Sequence, residues 1–90
     1  MRMQDRIEAR LAQALAPAEI AITDESALHA GHAGARPGGE THFRVTIVAE
    51  AFRGRSRLDR HRMVNAALAE ELKSGVHALA IHASAPGEIS

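Results

Sequence analysis

The sequence predicts an α+β fold in which helices pack on one face of a three-stranded sheet. Two kinds of hydrophobic spacing support this prediction. In residues 3–15, and again after Ser56, apolar residues recur every three to four positions, as in amphipathic helices. In three shorter segments they alternate with polar or small residues, as in half-buried strands. The predicted order along the chain is helix, strand, strand, helix, strand (αββαβ).

The N-terminal segment is predicted to form a helix that ends before Pro17. One stripe of this helix carries four apolar side chains, Met3, Ile7, Leu11 and Leu15. After the proline, Ile20 and Ile22 alternate with polar or small residues, which indicates a short strand that ends near residues 24–26. This helix and strand form the first pair of elements.

A glycine-rich segment, residues 27–39, is predicted to be a loop, because glycine and proline supply turn conformations and oppose regular structure. It also carries His29 and His32.

In residues 41–50 apolar residues again alternate with polar or small ones, which predicts a second strand. One face of this strand carries Phe43, Val45, Ile47 and Ala49. We expect the two strands to pair antiparallel across the loop.

The second helix is predicted as one long element from Ser56 to about Lys73. Ser56 is a good N-cap residue, and Gly75 is a natural end for the helix. The expected apolar stripe contains Leu58, Val64, Ala67, Leu68 and Leu72. The adjacent pair Glu70–Glu71 is expected to lie on the solvated surface.

The last strand is predicted over residues 76–83 and ends before Pro86. Its alternation places His77, Leu79 and Ile81 on the face shared with the core, so His77 is expected at the rim of the core. His82 falls on the other face and receives no role.

Composition excludes several kinds of site. The chain has no cysteine, which excludes disulfides, a nucleophilic thiol and any all-cysteine metal site within it. Eleven basic and eleven acidic residues leave no net charge with histidine neutral, which argues against a general polyanion binder. There is no P-loop lysine and no serine motif with an evident base, so an enzyme is not expected.

The length of 90 residues predicts one domain over residues 1–90. No segment approaches the roughly 20 apolar residues of a membrane span, and the N-terminal residues do not resemble a signal or transit peptide. A cytoplasmic location is therefore expected.

Four runs of the sequence, taken together and in this order, resemble the BolA family. They are ETHF (residues 40–43), AFRGRS (51–56), RHRMVNAALAEEL (60–72) and VHALAIHA (76–83). The resemblance covers about residues 20–86. It implies a fold similar to class II KH domains, with a mixed sheet in which the last strand pairs parallel to one neighbour. It also implies that the chain is a monomer alone and forms a heterodimer with a monothiol glutaredoxin.

The resemblance further implies metal-ligating histidines. The family's candidate ligand in the VHAL-type motif falls on His77, and the second ligand of the histidine-type subgroup falls on His29, with His32 as its substitute. A [2Fe-2S] cluster needs four ligands. The implied cluster is therefore shared with the glutaredoxin, which offers one cysteine, and with glutathione, which offers another; none is expected on the isolated chain.

Other histidines are interpreted differently. The pattern alone favours His77 as a packed or hydrogen-bonded structural histidine, and that alternative to the ligand role stays open. His42 and His61 are interpreted as structural or surface-lining residues, because one lies opposite Phe43 on its strand and the other lies on the long helix.

A strongly basic segment leads into the long helix; its arginines are Arg53, Arg55, Arg57, Arg60 and Arg62. Such a segment is typical of a solvated helix start, of a surface that docks an acidic partner, or of one that contacts nucleic-acid phosphates. Some BolA proteins are described as transcriptional regulators, and KH-like domains bind nucleic acid through a G-x-x-G loop. The crossover here keeps only Gly54 of the two glycines, so DNA binding is predicted to be weak and strongly salt-dependent.

Overall fold

The structure is a computed structural model that describes residues 2–25 and 42–88. Its elements, in chain order, are α1 (Met3–Leu15), β1 (Glu19–Asp24), β2 (His42–Val48), a short 3₁₀ helix (Glu50–Phe52), α2 (Arg57–Ala67), α3 (Ala69–Ser74) and β3 (Ala78–Ser84). The predicted α+β class is confirmed. The predicted second helix, however, is divided into α2 and α3.

The three strands form one mixed sheet with β2 at its centre. β1 pairs antiparallel with β2 and sets Ile22 opposite Val45. β3 pairs parallel with β2 and sets Ile81 opposite the same Val45. The antiparallel pair was predicted from the pattern, and the parallel pair agrees with the mixed sheet that the family resemblance implied.

The core lies between one face of this sheet and the helices. β2 contributes the side chains predicted from its alternation, and Phe43, Val45 and Ile47 are all buried. α1 contributes Ile7 and Leu11 from its predicted stripe, both fully buried. Each such side chain stabilises the fold by roughly 1.5–3 kcal/mol relative to an exposed one. Their burial therefore holds α1 against the sheet.

The prediction of one long helix is wrong at Leu68, where φ is −104° and ψ is 19°. Helical backbone hydrogen bonds nevertheless continue on both sides of the break. Leu68 N–H donates to Val64 O, and Leu72 N–H donates to Leu68 O. Leu68 itself is 1% exposed. The non-helical dihedrals of Leu68 therefore separate α2 from α3 while its side chain stays in the core.

Two predictions about which residues of α2 and α3 are buried are also wrong. Leu58 is 59% exposed, because six residues separate it from Val64 and six residues turn a helix by about 240°, which puts the two on different faces. Glu71 is buried, because it follows Val64 by seven residues and Leu68 by three, and so continues the stripe that they begin. The predicted N-cap is confirmed: Ser56 Oγ accepts a hydrogen bond from Asp59 N–H at 3.1 Å.

β3 starts two residues later than predicted. Gly75, with φ 140°, ends α3. Val76 N–H still donates to Glu71 O at 3.3 Å, so Val76 belongs to the end of the helix. The side chain of Val76 is buried there. His77 consequently precedes the strand and is exposed, whereas it was expected at the rim of the core. The prediction for Ile81 is confirmed, since its side chain lies in the core.

Within residues 2–25 and 42–88, no helix has both the length and the apolar character needed to cross a bilayer. The prediction of a single domain over residues 1–90 stays a prediction.

Candidate functional site

His77 lies beside His42 at the end of the sheet where β2 and β3 begin. The parallel register pairs His42 with Ala78, the residue after His77. The two imidazole rings are stacked with an interplanar angle of 22° and centroids 6.3 Å apart. Sequence reasoning had interpreted His42 as structural or surface-lining. The parallel pairing implied by the family resemblance was the signal that could have joined the two histidines.

The predicted ligands His29 and His32 lie outside the described residues, so their position relative to His77 stays a prediction. The described residues that flank this segment are Glu25 and His42, which are joined directly. Glu25 N–H donates to His42 O at 2.8 Å. Glu25 and His42, the two described residues that flank this segment, therefore lie together beside the paired histidine rings.

The donor chemistry of this end of the sheet suits part of a metal site. Imidazole is a ligand for iron, zinc and copper, and His77 is exposed. The chain contributes no thiolate. In the described ranges no group of three or more histidine, aspartate or glutamate side chains is arranged to hold a metal ion. The donor that this end of the sheet exposes is the imidazole of His77.

His82, which received no predicted role, belongs to a hydrogen-bonded row on the open face of the sheet. Arg44 Nε donates to Glu25 Oε2 at 3.0 Å, and Arg44 Nη1 lies 3.0 Å from His82 Nε2. Because a guanidinium can only donate, His82 Nε2 is the acceptor. This nitrogen is therefore already engaged, unlike the exposed ring of His77.

Two of the five predicted arginines are held in ion pairs. Arg53 forms a bidentate pair with Glu50, with Nε–Oε1 and Nη2–Oε2 distances of 2.5 and 3.0 Å, and the hydrogen bond lowers the pKa of Glu50. Arg60 forms a second bidentate pair with Glu88 at 2.7 and 3.0 Å. The hydrogen bond from Arg60, helped by one from Ala85 N–H, lowers the pKa of Glu88 to about 2.

Arg60 also joins three parts of the chain. Its Nε donates to Arg55 O at 3.0 Å, and its Nη1 donates to Ala83 O at 3.1 Å. With only 14% of its side chain exposed, it fastens the start of α2 to β3 and to Glu88. Arg53 likewise donates to Pro86 O at 2.8 Å. These two arginines are structural ties.

Arg55, Arg57 and Arg62 are exposed, and no described side chain pairs with their guanidinium groups. Arg55 and Arg57 line a cavity of about 450 Å³ between the start of α2 and β3, together with Arg60, His61 and residues 81–83. We call this cavity the basic trough. It unites part of the predicted basic segment with His61, which sequence reasoning had treated separately.

Comparison with known proteins adds a family assignment. A family model described as "BolA-like protein" matches residues 11–88. SufE-like protein 1, chloroplastic/mitochondrial, of Arabidopsis thaliana is 47% identical over 88 residues, covering 93% of this chain and 24% of that protein. BolA-like protein 1 of Homo sapiens is 50% identical over 82 residues, covering 91% of this chain and 57% of that protein. The chain thus spans about a quarter of the first relative and little more than half of the second.

A third relative carries a functional name. The DNA-binding transcriptional regulator BolA of Escherichia coli (strain K12) is 44% identical over 82 residues, covering 91% of this chain and 74% of that protein. Among solved structures, the BolA domain of SufE1 from Arabidopsis thaliana superimposes with a TM-score of 0.86 at 45% identity, covering 96% of this chain and 94% of that one. The mixed sheet and its helices therefore follow the architecture of that domain.

Proposed function

The chain belongs to the BolA-like protein family, and from this premise we propose that it binds a monothiol glutaredoxin and shares a [2Fe-2S] cluster with it. In this role it acts as an accessory protein in iron-sulfur cluster assembly or transfer, or in iron-status regulation. It needs no catalytic residue of its own. The ligands assigned to the chain are His77 and His29, with His32 as the substitute.

The observation that carries this proposal is the exposed ring of His77, 6.3 Å from the ring of His42. His29 follows Glu25 by four residues, a span of at most about 14 Å when fully extended. Because Glu25 is hydrogen-bonded to His42, that span starts beside the His42–His77 pair. This length of chain is long enough to allow a ligand at position 29 to approach His77, which supports the assignment.

The remaining ligands must come from outside the chain. A [2Fe-2S] cluster takes four ligands, and this sequence has no cysteine. The glutaredoxin cysteine and the glutathione cysteine supply two thiolates and complete a set with two imidazoles. Imidazole in place of thiolate raises the reduction potential of such a cluster.

The test is an anaerobic reconstitution of the full chain with a monothiol glutaredoxin, glutathione, iron and sulfide, followed by visible absorption and circular dichroism. We expect a heterodimer spectrum that differs from that of the glutaredoxin homodimer and is lost in His77→Ala. His29→Ala is expected to weaken it, and His29→Ala with His32→Ala to abolish it.

His82→Ala is the matched control, because it removes an imidazole from the same strand region without touching the His42–His77 pair. It should leave the spectrum unchanged. Failure to form a complex, or a spectrum that survives His29→Ala, His32→Ala and His77→Ala together, would refute shared ligation.

DNA binding is the second candidate function. It is favoured by the similarity to the DNA-binding transcriptional regulator BolA of Escherichia coli and by the exposed Arg55, Arg57 and Arg62. Binding through these side chains to phosphates should weaken steeply with salt, with a slope of log K against log salt near −0.9 per phosphate contacted. Fluorescence anisotropy with duplex DNA should show that slope fall in magnitude by roughly 2–3 when all three become alanine. Tight binding at physiological salt that survives the triple substitution would contradict this candidate.

A further inference from the structure

β3 is an edge strand, and alternate residues along it direct their backbone groups away from the sheet. Ser84 O accepts from Ala49 N–H at 2.9 Å, so Ser84 faces the rest of the sheet. By the two-residue period of a strand, Leu79, Ile81 and Ala83 direct N–H and C=O to the free side. Among the described residues, only Arg60 bonds to this outward row, at Ala83 O.

In the part of the chain that the structure describes, the free edge of β3 carries few of the features that normally protect an edge strand. Exposed edges are usually blunted by charged residues, proline, bulges or a covering element. Residues 78–84 contain no charged residue and no proline, and seven consecutive pairs with β2 leave no bulge. The opposite edge differs, because α1 reaches it: Gln4 Nε2 donates to the outward carbonyl of Ile22 at 2.9 Å.

The basic trough runs beside this unprotected edge. The side chains of Arg55 and Arg57 are exposed, and no described side chain pairs with their guanidinium groups, while Ile81 and Ala83 form the other wall of the trough. The chain itself already presents one acidic side chain at one end of the trough, since Glu88 occupies Arg60 with both carboxylate oxygens. The edge therefore combines unpaired backbone groups with a positive charge on its helical side.

We infer that the free edge of β3 accepts an extended, acidic segment of a partner protein as a fourth strand. Its backbone would pair with the outward N–H and C=O groups of Leu79 and Ile81 and with the N–H of Ala83, whose carbonyl Arg60 already occupies, as in strand addition. Side chains of an added strand alternate between the two faces, so every second residue meets the helical side, where its carboxylates oppose Arg55 and Arg57. This inference does not depend on cluster sharing.

Two other occupants fit the edge less well. A second copy would place its own basic trough against this one if the two β3 edges paired across a twofold axis, which brings like charges together. Nucleic acid would use the arginines but has no repeating amide groups to match a strand edge. The chain also has no tryptophan or tyrosine for stacking bases.

The test uses the full chain labelled with ¹⁵N and a heptapeptide of alternating valine and glutamate. We expect its binding to shift the amide signals of Leu79, Ile81 and Ala83 and to slow their hydrogen exchange. A control peptide with proline in place of valine keeps the charge but cannot extend a sheet. It should give neither the shifts nor the protection.

Arg55→Glu combined with Arg57→Glu should lower the affinity for the valine–glutamate peptide at least about tenfold. Arg2→Glu with Lys73→Glu, two exposed residues away from the trough, changes the net charge equally and should leave affinity unchanged.

Four outcomes would overturn the inference. They are no protection of the three amides, equal binding of the proline peptide, protection by a DNA oligonucleotide but not by the peptide, and protection from self-association of the free chain. The last two would assign the edge to nucleic acid or to a second copy.

Discussion

Glu71 is a carboxylate in the interior of the molecule, with 1% of its side chain exposed. Its Oε2 accepts from Arg6 Nη2 at 3.0 Å and from Arg10 Nε at 3.4 Å, so it ties α3 to α1. Its Oε1 is buried, with no hydrogen-bond partner in the part of the chain that the structure describes. A buried charge is tolerated only when it is paired, so the two arginines are what allow Glu71 to remain there.

The two sides of this pair should respond unequally to substitution. Arg6→Ala with Arg10→Ala strands a buried carboxylate and should lower the free energy of unfolding by about 3 kcal/mol, the low end for a broken buried pair because the arginines are partly exposed. Glu71→Gln should cost less, about 1–2 kcal/mol, because the arginines return to water. Urea unfolding at constant m-value measures both.

The control for this comparison is Arg2→Ala with Lys73→Ala, which also removes two positive charges but from exposed positions. It should change stability by less than about 1 kcal/mol. If Glu71→Gln proved more costly than the double arginine variant, the carboxylate would not depend on these arginines.

At the scale of elements, the residues after β3 are fastened to the start of α2. Arg60 holds both oxygens of Glu88, and Ala85 N–H donates to Glu88 Oε1 at 2.7 Å. The same guanidinium reaches Ala83 O, the last outward carbonyl of β3. One arginine therefore closes the C-terminal end of the β3 edge and leaves Leu79 and Ile81 open.

This tie should be sensitive to acid in a defined window. The pKa of Glu88 falls from its ordinary 4.5 to about 2, because Arg60 and Ala85 stabilise the charged form. A lowered pKa in the folded state means that the tie contributes fully above pH 4.5, weakens as pH falls, and is lost below about 2. The Ala85 amide signal should titrate with a midpoint near 2.

Glu88→Gln provides the comparison, since it keeps the shape of the side chain and removes its titration. In that variant the Ala85 amide should show no transition between pH 5 and 2. A wild-type midpoint near 4.5 would mean that Arg60 does not hold the carboxylate in solution.

On the scale of the whole molecule, the net charge is zero, yet two distinct surfaces lie along β3. One surrounds His77 at the start of the strand, and the other is the basic trough near its end. His77 precedes β3, and the basic trough meets that strand at residues 81–83, about 17 Å further along at roughly 3.3 Å per residue. The helices that the structure describes pack on one face of the sheet. Substitution of His77 should therefore affect cluster sharing alone, and substitution of Arg55 and Arg57 should affect the binding proposed for the basic trough.

Much of the fold could be predicted from the sequence because its signals are local. The four-residue spacing in α1, the alternation in β2 and the cap at Ser56 each depend on neighbouring backbone geometry, and all three are confirmed. Family resemblance added the parallel pairing, which periodicity cannot specify. Leu58 and Glu71 were misassigned although their angular positions on a helix were available from residue spacing alone.

By itself, then, the sequence determined the order and most bounds of the elements, the core face of β2 and the absence of any thiolate. Only the tertiary structure decided which charged groups meet. The guanidinium of Arg60 is engaged while those of Arg55 and Arg57 are not, and His42 lies beside His77, because Glu88 and His77 are distant from these residues in the chain and are brought close only by the packing of α2 and the parallel register of β3. Local spacing carries no information about contacts that depend on how separate elements pack.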